Sequence, residues 1–428
     1  MKWNIVNVDL EQKIQGLSAQ PGYTGTFVLF WWRSIPLGYQ EFLADRLPIS
    51  AMAFSTIIAN TVASTVNHYI EESFVPPPPR IRGFRQKLEQ HYSIESIKNL
   101  RKPLANLGRF YSLVASVEAQ SVSVVICTRN RPQRLDDCLE SLQHLVNDPV
   151  EVLVVDNAPL GNETKAVVQK YSEVDYVLEP RPGLSIARNT GIRRTTGDII
   201  AFTDDDVKVH PHWIERIRYG FQDPNVMVVT GLMLPAELET PSQVAFHEGI
   251  YGFDWPCRPI LYDARYFEER KRFGAPVWQI GAGANMALRR QAVDAIGDFN
   301  ETLGAGASGC SEDSELWYRV LAAGWACRYE PSAVVYHYHR DDLVSLKNQQ
   351  YAYMRGHVTA LLIQANQHHH WGNLFRLFIV LPIYYMQRLL KGLYYRFQGS
   401  YMTVFAEIRG CFAGLLFFIR HSVTTGID

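Results

Sequence analysis

From residue 121 the chain alternates between short unbroken apolar runs and amphipathic segments. The runs are "SVVIC" (123–127), "VEVLVV" (150–155), "VDYVL" (174–178), "DIIAFT" (198–203) and "VMVVTG" (226–231). Runs without polar alternation predict strands buried on both faces, as in a parallel sheet covered by helices. Between the first two, Leu135, Cys138, Leu139, Leu142 and Leu145 fall at helical spacing. The pattern predicts an α/β unit on a mostly parallel sheet. Ahead of it, "TGTFVLFWWRSIPLGYQEF" (24–42) predicts a strand pair, and "ISAMAFSTIIANTVASTVNHYI" (49–70) predicts a helix. The expected division is a small N-terminal α+β domain over 1–75 and a Pro-rich linker ("VPPPPR") with a basic helix over 76–118. The α/β domain follows over 119–345, then a basic, aromatic helical region over 346–428.

Ligands of such sheets bind beyond the carboxyl ends of the strands, so polar residues there carry the functional signal. Three strands end on Cys127-Thr128-Arg129-Asn130, on Asp156-Asn157 and on Asp204-Asp205-Asp206. Two unit charges about 4 Å apart repel by about 4 kcal/mol at an effective dielectric near 20, so adjacent carboxylates need a reason. One reading is a turn and cap before a helix starting near Pro211. The other is a divalent cation, which takes oxygen ligands and cancels the repulsion. Convergence of three polar strand ends favours the cation.

Composition narrows the field. The 428 residues are 47% hydrophobic and 20% charged with a net charge of −1, so no nucleic-acid partner is expected. The six cysteines lack paired metal-ligand spacing, and "MKWNIVNVDLEQKIQGL" has no apolar signal core. Both features predict a cytoplasmic location.

Five ordered blocks carry a resemblance. "VSVVICTRNRPQRLDDCLESL", "EVLVVDN", "PGLSIARNTGIRRTTGDIIAFTDDDV", "GAGANMALRRQAVDAIGDFNETLGAG" and "SEDSELWYRVLAAGW" resemble family 2 glycosyltransferases of the GT-A fold, over about residues 122–340. The resemblance implies a Rossmann-like nucleotide-binding domain. It also implies inverting transfer of one sugar from a nucleotide-diphosphate-sugar, a UDP-sugar being favoured. The acceptor would be a hydroxyl of a glycan or lipid-linked molecule in polysaccharide or cell-envelope glycan assembly. By position, Thr128, Arg129 and Asn130 would line the nucleotide pocket, Asp156 would bind the base, and Arg188, Asp204 and Asp205 would meet the nucleotide sugar. Asp206 and His337 would hold Mn²⁺ or Mg²⁺, which neutralises the leaving diphosphate. Asp313 would take the acceptor's hydroxyl proton and Glu312 would bind the acceptor. The structural alternative for this acidic pair is a helix start behind a Ser311 cap. His339 is expected to be packed rather than to bind metal. Gly281, Gly283 and Asn285 would let the backbone approach the sugar or form a tight turn. Trp278, with Trp255, Tyr262 and Tyr266, would stack on acceptor sugars or pack in the core.

Other classes fit less well. A processive synthase would show a Gln-x-x-Arg-Trp block, and a sugar nucleotidyltransferase a Gly-rich loop with lysine where this chain reads "CTRNRPQRL". A non-catalytic nucleotide-sugar-binding scaffold remains the alternative. Beyond Asp342 no acidic residue occurs until Glu407, while Lys347, Arg355, Arg376, Arg388, Lys391 and Arg396 fall between. "WGNLFRLFIVLPIYYMQRLLKGLYYRF" (371–397) mixes aromatics with these cations, and its longest uncharged run, 377–387, is too short to span a bilayer. Residues 371–420 are therefore expected to lie peripherally on the cytoplasmic membrane face, or to pack on the catalytic domain or a second copy of the chain in an oligomer.

Overall fold

The protein is described from a computed structural model that covers residues 2–71, 120–146, 151–247 and 255–424. The linker and basic helix expected over 76–118 lie outside the described residues. Trp3–Asp9 (β1), Gly25–Trp32 (β2) and Ile35–Leu43 (β3) form a three-stranded sheet, with β1 parallel and β3 antiparallel to β2. On β2, Val28 and Phe30 pack with Phe54 and Ile58 of helix Ala51–Glu71 (α1). The alternate residues Phe27, Leu29 and Trp31 face the other way and join the core of the next unit.

The second sheet contains Val122–Thr128 (β4), Glu151–Asn157 (β5), Val174–Glu179 (β6), Ile199–Asp204 (β7), Val207–Val209 (β8), Val226–Pro235 (β9), Ile260–Tyr262 (β10), Asn285–Arg289 (β11) and Ala326–His337 (β12). Its order is β10-β12-β9-β11-β7-β4-β5-β6, with β8 paired to β12. Helices Pro132–Leu142 (α2), Glu163–Val168 (α3), Leu184–Arg194 (α4), Trp213–Gly220 (α5), Pro241–His247 (α6), Ala264–Lys271 (α7), Arg290–Ile296 (α8) and Glu312–Ala322 (α9) connect the strands or follow them. Along β7, Ile200 and Phe202 enter one core while Ile199 and Ala201 enter the other. Both faces are dry, which is why these strands read as unbroken apolar runs.

The sheet is more mixed than the expected mostly parallel one. Strands β6, β5, β4 and β7 are parallel neighbours and β12 is parallel to β9. However, β11 is antiparallel to both β7 and β9, and β8 and β10 are antiparallel to β12. A strand buried on both faces shows the same apolar run in either direction, so periodicity could not reveal this.

The N-terminal sheet leans on this unit. Trp31 stacks on His210 at 6.0 Å, and β3 touches β12. A cleft of about 260 Å³ at this junction is lined by Asn7, Asp9, Gln12, Trp31, Arg33, His210 and Tyr336. At the far end, Leu343–His368 (α10), Trp371–Phe375 (α11), Leu381–Tyr394 (α12) and Val404–Thr424 (α13) form a helical layer; a π-helical turn, Arg376–Val380, joins α11 to α12. Here α10 seats its Ala352 and Gly356 against Gly309 and Cys310, just ahead of α9.

Candidate active site

Strand register brings the polar ends together. Thr128 sits opposite Asp156 between β4 and β5, and Cys127 opposite Asp204 between β4 and β7. Asn285 pairs with Thr203, which delivers the "GAGAN" segment to the end of β7. Val207 pairs with His337, which sets that histidine beside Asp206.

The three aspartates diverge in their partners. Asp204 meets Arg188 Nη2 at 3.4 Å. Asp205 accepts from Thr128 Oγ1 at 2.8 Å and from Arg131 Nη1 at 3.0 Å. Asp206 Oδ2 accepts from the same Arg131 nitrogen at 3.0 Å, with Arg340 at 3.6 Å, while its Oδ1 lies 3.1 Å from His337 Nε2. Burial pushes Asp205 up to about 6, with the charge of Asp206 adding to it. Asp206 moves the opposite way: against its burial, His337, Arg131 and Arg340 hold it well below the usual carboxylate range. Burial would lower His337, but Asp206 raises it.

Arg188 ties this cluster to the second acidic block. It is buried on α4, and its Nη1 bonds Glu312 Oε1 at 2.7 Å. Glu312 is therefore turned inward onto a guanidinium, and its Oε2 has no hydrogen-bond partner. Asp313 is less buried, with Oδ2 accepting from Gly283 N at 2.8 Å and Oδ1 from Ser314 N at 2.6 Å. Ser311 takes a left-handed φ of 72° and its hydroxyl makes no capping bond, so the expected Ser311 cap is absent. Burial raises Glu312 to about 7 against the pull of Arg188. Asp313 is likewise raised by burial, with Arg188 and the two backbone N–H groups opposing.

The remaining expectations divide. Arg129 and Asn130 are exposed at the mouth, and Asn130 Oδ1 accepts from Leu160 N at 2.9 Å. Asp156 is buried; Tyr176 donates to its Oδ2 at 3.0 Å, and its Oδ1 has no partner. A Cβ on Gly283 would lie 2.8 Å from Arg188 Nη2 and 3.0 Å from Asp313 Oδ2, so this glycine permits a close backbone approach to both side chains. Asn285 is different: it is a core brace whose amide joins Leu232 and Ala333 carbonyls and accepts from Trp213 Nε1. Tyr262 and Tyr266 are core residues, 4.9 Å apart edge to face. Trp255 packs on Tyr329 at 5.2 Å. Trp278 is half-buried between His357 and Arg376. His339 is packed on Phe246. Arg131 and Arg340 were not singled out by sequence, although Arg131 lies in the first block and three clustered carboxylates demand nearby cations.

Among the described residues, no group of three or more His, Cys, Asp and Glu side chains could hold a metal ion by itself. Asp206 Oδ1 and His337 Nε2, 3.1 Å apart and bonded to each other, are near enough that both would reach one cation. Magnesium sites commonly take one or two carboxylates and complete the shell with substrate phosphates and water.

The family model "Glycosyl transferase family 2" matches residues 123–297. This stretch therefore resembles a family 2 glycosyltransferase domain. Proteins similar to it include glycosyltransferases and a succinoglycan biosynthesis protein. A pre-mycofactocin glycosyltransferase of Mycobacterium tuberculosis is 30% identical over 229 residues, covering 52% of this chain and 44% of that protein. An N-acetylglucosaminyl-diphospho-decaprenol L-rhamnosyltransferase of the same organism is 27% identical over 241 residues, covering 50% of this chain and 75% of the relative. The succinoglycan biosynthesis protein ExoM of Rhizobium meliloti is 28% identical, covering 51% and 67%. The matched stretch thus spans less than half the length of the first of these relatives. A solved structure of S. aureus TarS aligns with a TM-score of 0.40 and 15% identity, covering 57% of this chain and 40% of that one, a likeness too partial to argue from.

Proposed function

We propose that this domain transfers one sugar, with inversion, from a nucleotide-diphosphate-sugar to a hydroxyl of a glycan or lipid-linked acceptor. We favour a UDP-sugar as donor and place the reaction on the cytoplasmic side of the membrane. The observation that carries the reading is the buried Arg188 guanidinium, bonded to acidic blocks 16 and 124 residues away. It links the aspartates at the end of β7 to the pair at the start of α9.

In this reading Asp313 accepts the acceptor's hydroxyl proton while that oxygen bonds to the anomeric carbon. The bond from that carbon to the diphosphate oxygen breaks on the opposite face, and its electron pair leaves with the nucleotide diphosphate. One displacement inverts the centre. The raised Asp313 suits a base and the lowered Asp206 suits a permanently anionic ligand. Asp206 and His337 would hold Mn²⁺ or Mg²⁺, which supplies Lewis-acid neutralisation of the leaving group. Asp156 Oδ1 offers an acceptor to a base N–H, and Thr128, Arg129 and Asn130 border the nucleotide. Glu312 acts as a positioning residue that fixes Arg188.

A screen of UDP-, GDP- and dTDP-sugars with Mn²⁺, read as nucleotide release, would name the donor. In the same assay Asp313→Asn should lose about 10²–10⁴-fold in transfer while calorimetric binding of the nucleotide diphosphate persists. A fully active variant would remove Asp313 from the mechanism. Tight nucleotide binding by the unaltered chain without turnover of any donor would favour a scaffold instead.

A further inference from the structure

Among the described residues, the helical layer presents two exposed apolar stripes. On the π-turn and α12, Ile379, Ile383, Met386, Leu390 and Leu393 recur at helical spacing and are 47–65% exposed. On α13, Phe405, Phe412, Leu416 and Ile419 do the same at 50–67%. Monomeric soluble proteins rarely leave apolar patches of this extent open.

Charge says what covers them. Between Leu343 and Thr424 the only carboxylate is Glu407, which is 1% exposed and bonded to Arg388, Tyr385 and Thr403. The layer therefore presents no negative side chain over this stretch, while Lys391, Arg396, Arg409 and Arg420 are exposed. Arg409 falls within the α13 stripe itself, four residues after Phe405 and three before Phe412. A long cationic side chain among apolar ones suits the depth where acyl chains meet anionic headgroups, the stem lying in one and the charge in the other.

The same facts decide between lying on a membrane and crossing it. Gly399–His421, 23 residues of mean hydropathy 1.7, is long and apolar enough to span by length and composition. Yet α13 is fastened along α10. Gly410 and Gly414 meet the Tyr351 and Arg355 carbonyls so closely that neither position has room for a Cβ. Thr359 Oγ1 also bonds the Gly414 carbonyl at 3.3 Å. Spanning would strip this packing and carry Glu407 and Arg409 into hydrocarbon.

We infer that the exposed faces of α12 and α13 dock the enzyme in the interface of an anionic bilayer, without crossing it. The inference does not depend on the glycosyl-transfer reading, since vesicle binding is measured without substrate.

The test is flotation of the full chain with phosphatidylcholine vesicles, with and without phosphatidylglycerol. The intact chain should float with the anionic vesicles, much less with neutral ones, and be released by high salt. Ile383→Glu with Leu390→Glu should cut partitioning at least tenfold, and Arg409→Gln by about fivefold on anionic vesicles alone. Thermal unfolding of each variant should match the parent, since these side chains are exposed. Failure of the intact chain to float at low salt overturns the proposal. So does resistance to alkaline carbonate extraction, which would mark a span. A dimer that dissociates in the Glu variants with no vesicle binding would give the stripes to a second copy of the chain instead.

Discussion

Replacing Glu312 by Gln tests the electrostatics that join the two acidic blocks. Glu312 has an ordinary value of 4.5 and is raised to about 7 in the fold, chiefly by burial. A group raised on folding holds its proton more tightly in the native state. Its contribution to stability is therefore complete below about pH 4.5 and is lost as pH rises through about 7. At about 1.4 kcal/mol per pH unit, the loss is about 3 kcal/mol. Glutamine cannot titrate, so Glu312→Gln removes this component. Urea unfolding of parent and variant, in chelator and without nucleotide, should give stabilities whose difference drifts by about 3 kcal/mol between pH 4.5 and 7.5. The drift favours the variant at the higher pH. Parallel curves, or a drift of the opposite sign, would refute the claim that burial outweighs Arg188 in setting the titration of Glu312.

Other outcomes follow from the same geometry. His337→Ala and Asp206→Asn should each weaken the Mn²⁺-dependent part of UDP-induced thermal stabilisation, and equal stabilisation of the parent with Mn²⁺ or with chelator would argue against this pair as ligands. Gly283→Ala forces a methyl group to 2.8 Å from Arg188 Nη2 and 3.0 Å from Asp313 Oδ2. It should cost about 1–3 kcal/mol, measured by urea unfolding, and lower turnover more than donor binding. An unperturbed Gly283→Ala enzyme would show that this backbone does not constrain the two side chains.

The legible part of this fold was the part written locally. Continuous runs such as "DIIAFT" expose strands, and polar residues at their ends expose a cleft, because burial on both faces leaves only the tips free to bind. Partnerships across long sequence separations were not legible. Nothing in "ARN" announces that Arg188 reaches Glu312. Ser311 looked like a cap by residue type, but its left-handed backbone directs the hydroxyl elsewhere. Tyr262 and Tyr266 carry the same aromatic signature as a sugar platform, and only packing distinguishes the two. Asn285 resembled a site residue because it sits among glycines, whereas its amide is used to stitch β11 to its neighbours.

Tyr336 and His337 follow one another on β12, so they point to opposite sides of it. The tyrosine borders the junction with the first sheet, and the histidine meets Asp206. The N-terminal unit is thus a buttress, set one pleat away from a residue that would grip the metal. Removing residues 1–71 would bare the back of that strand, and any loosening there would be felt first at the imidazole.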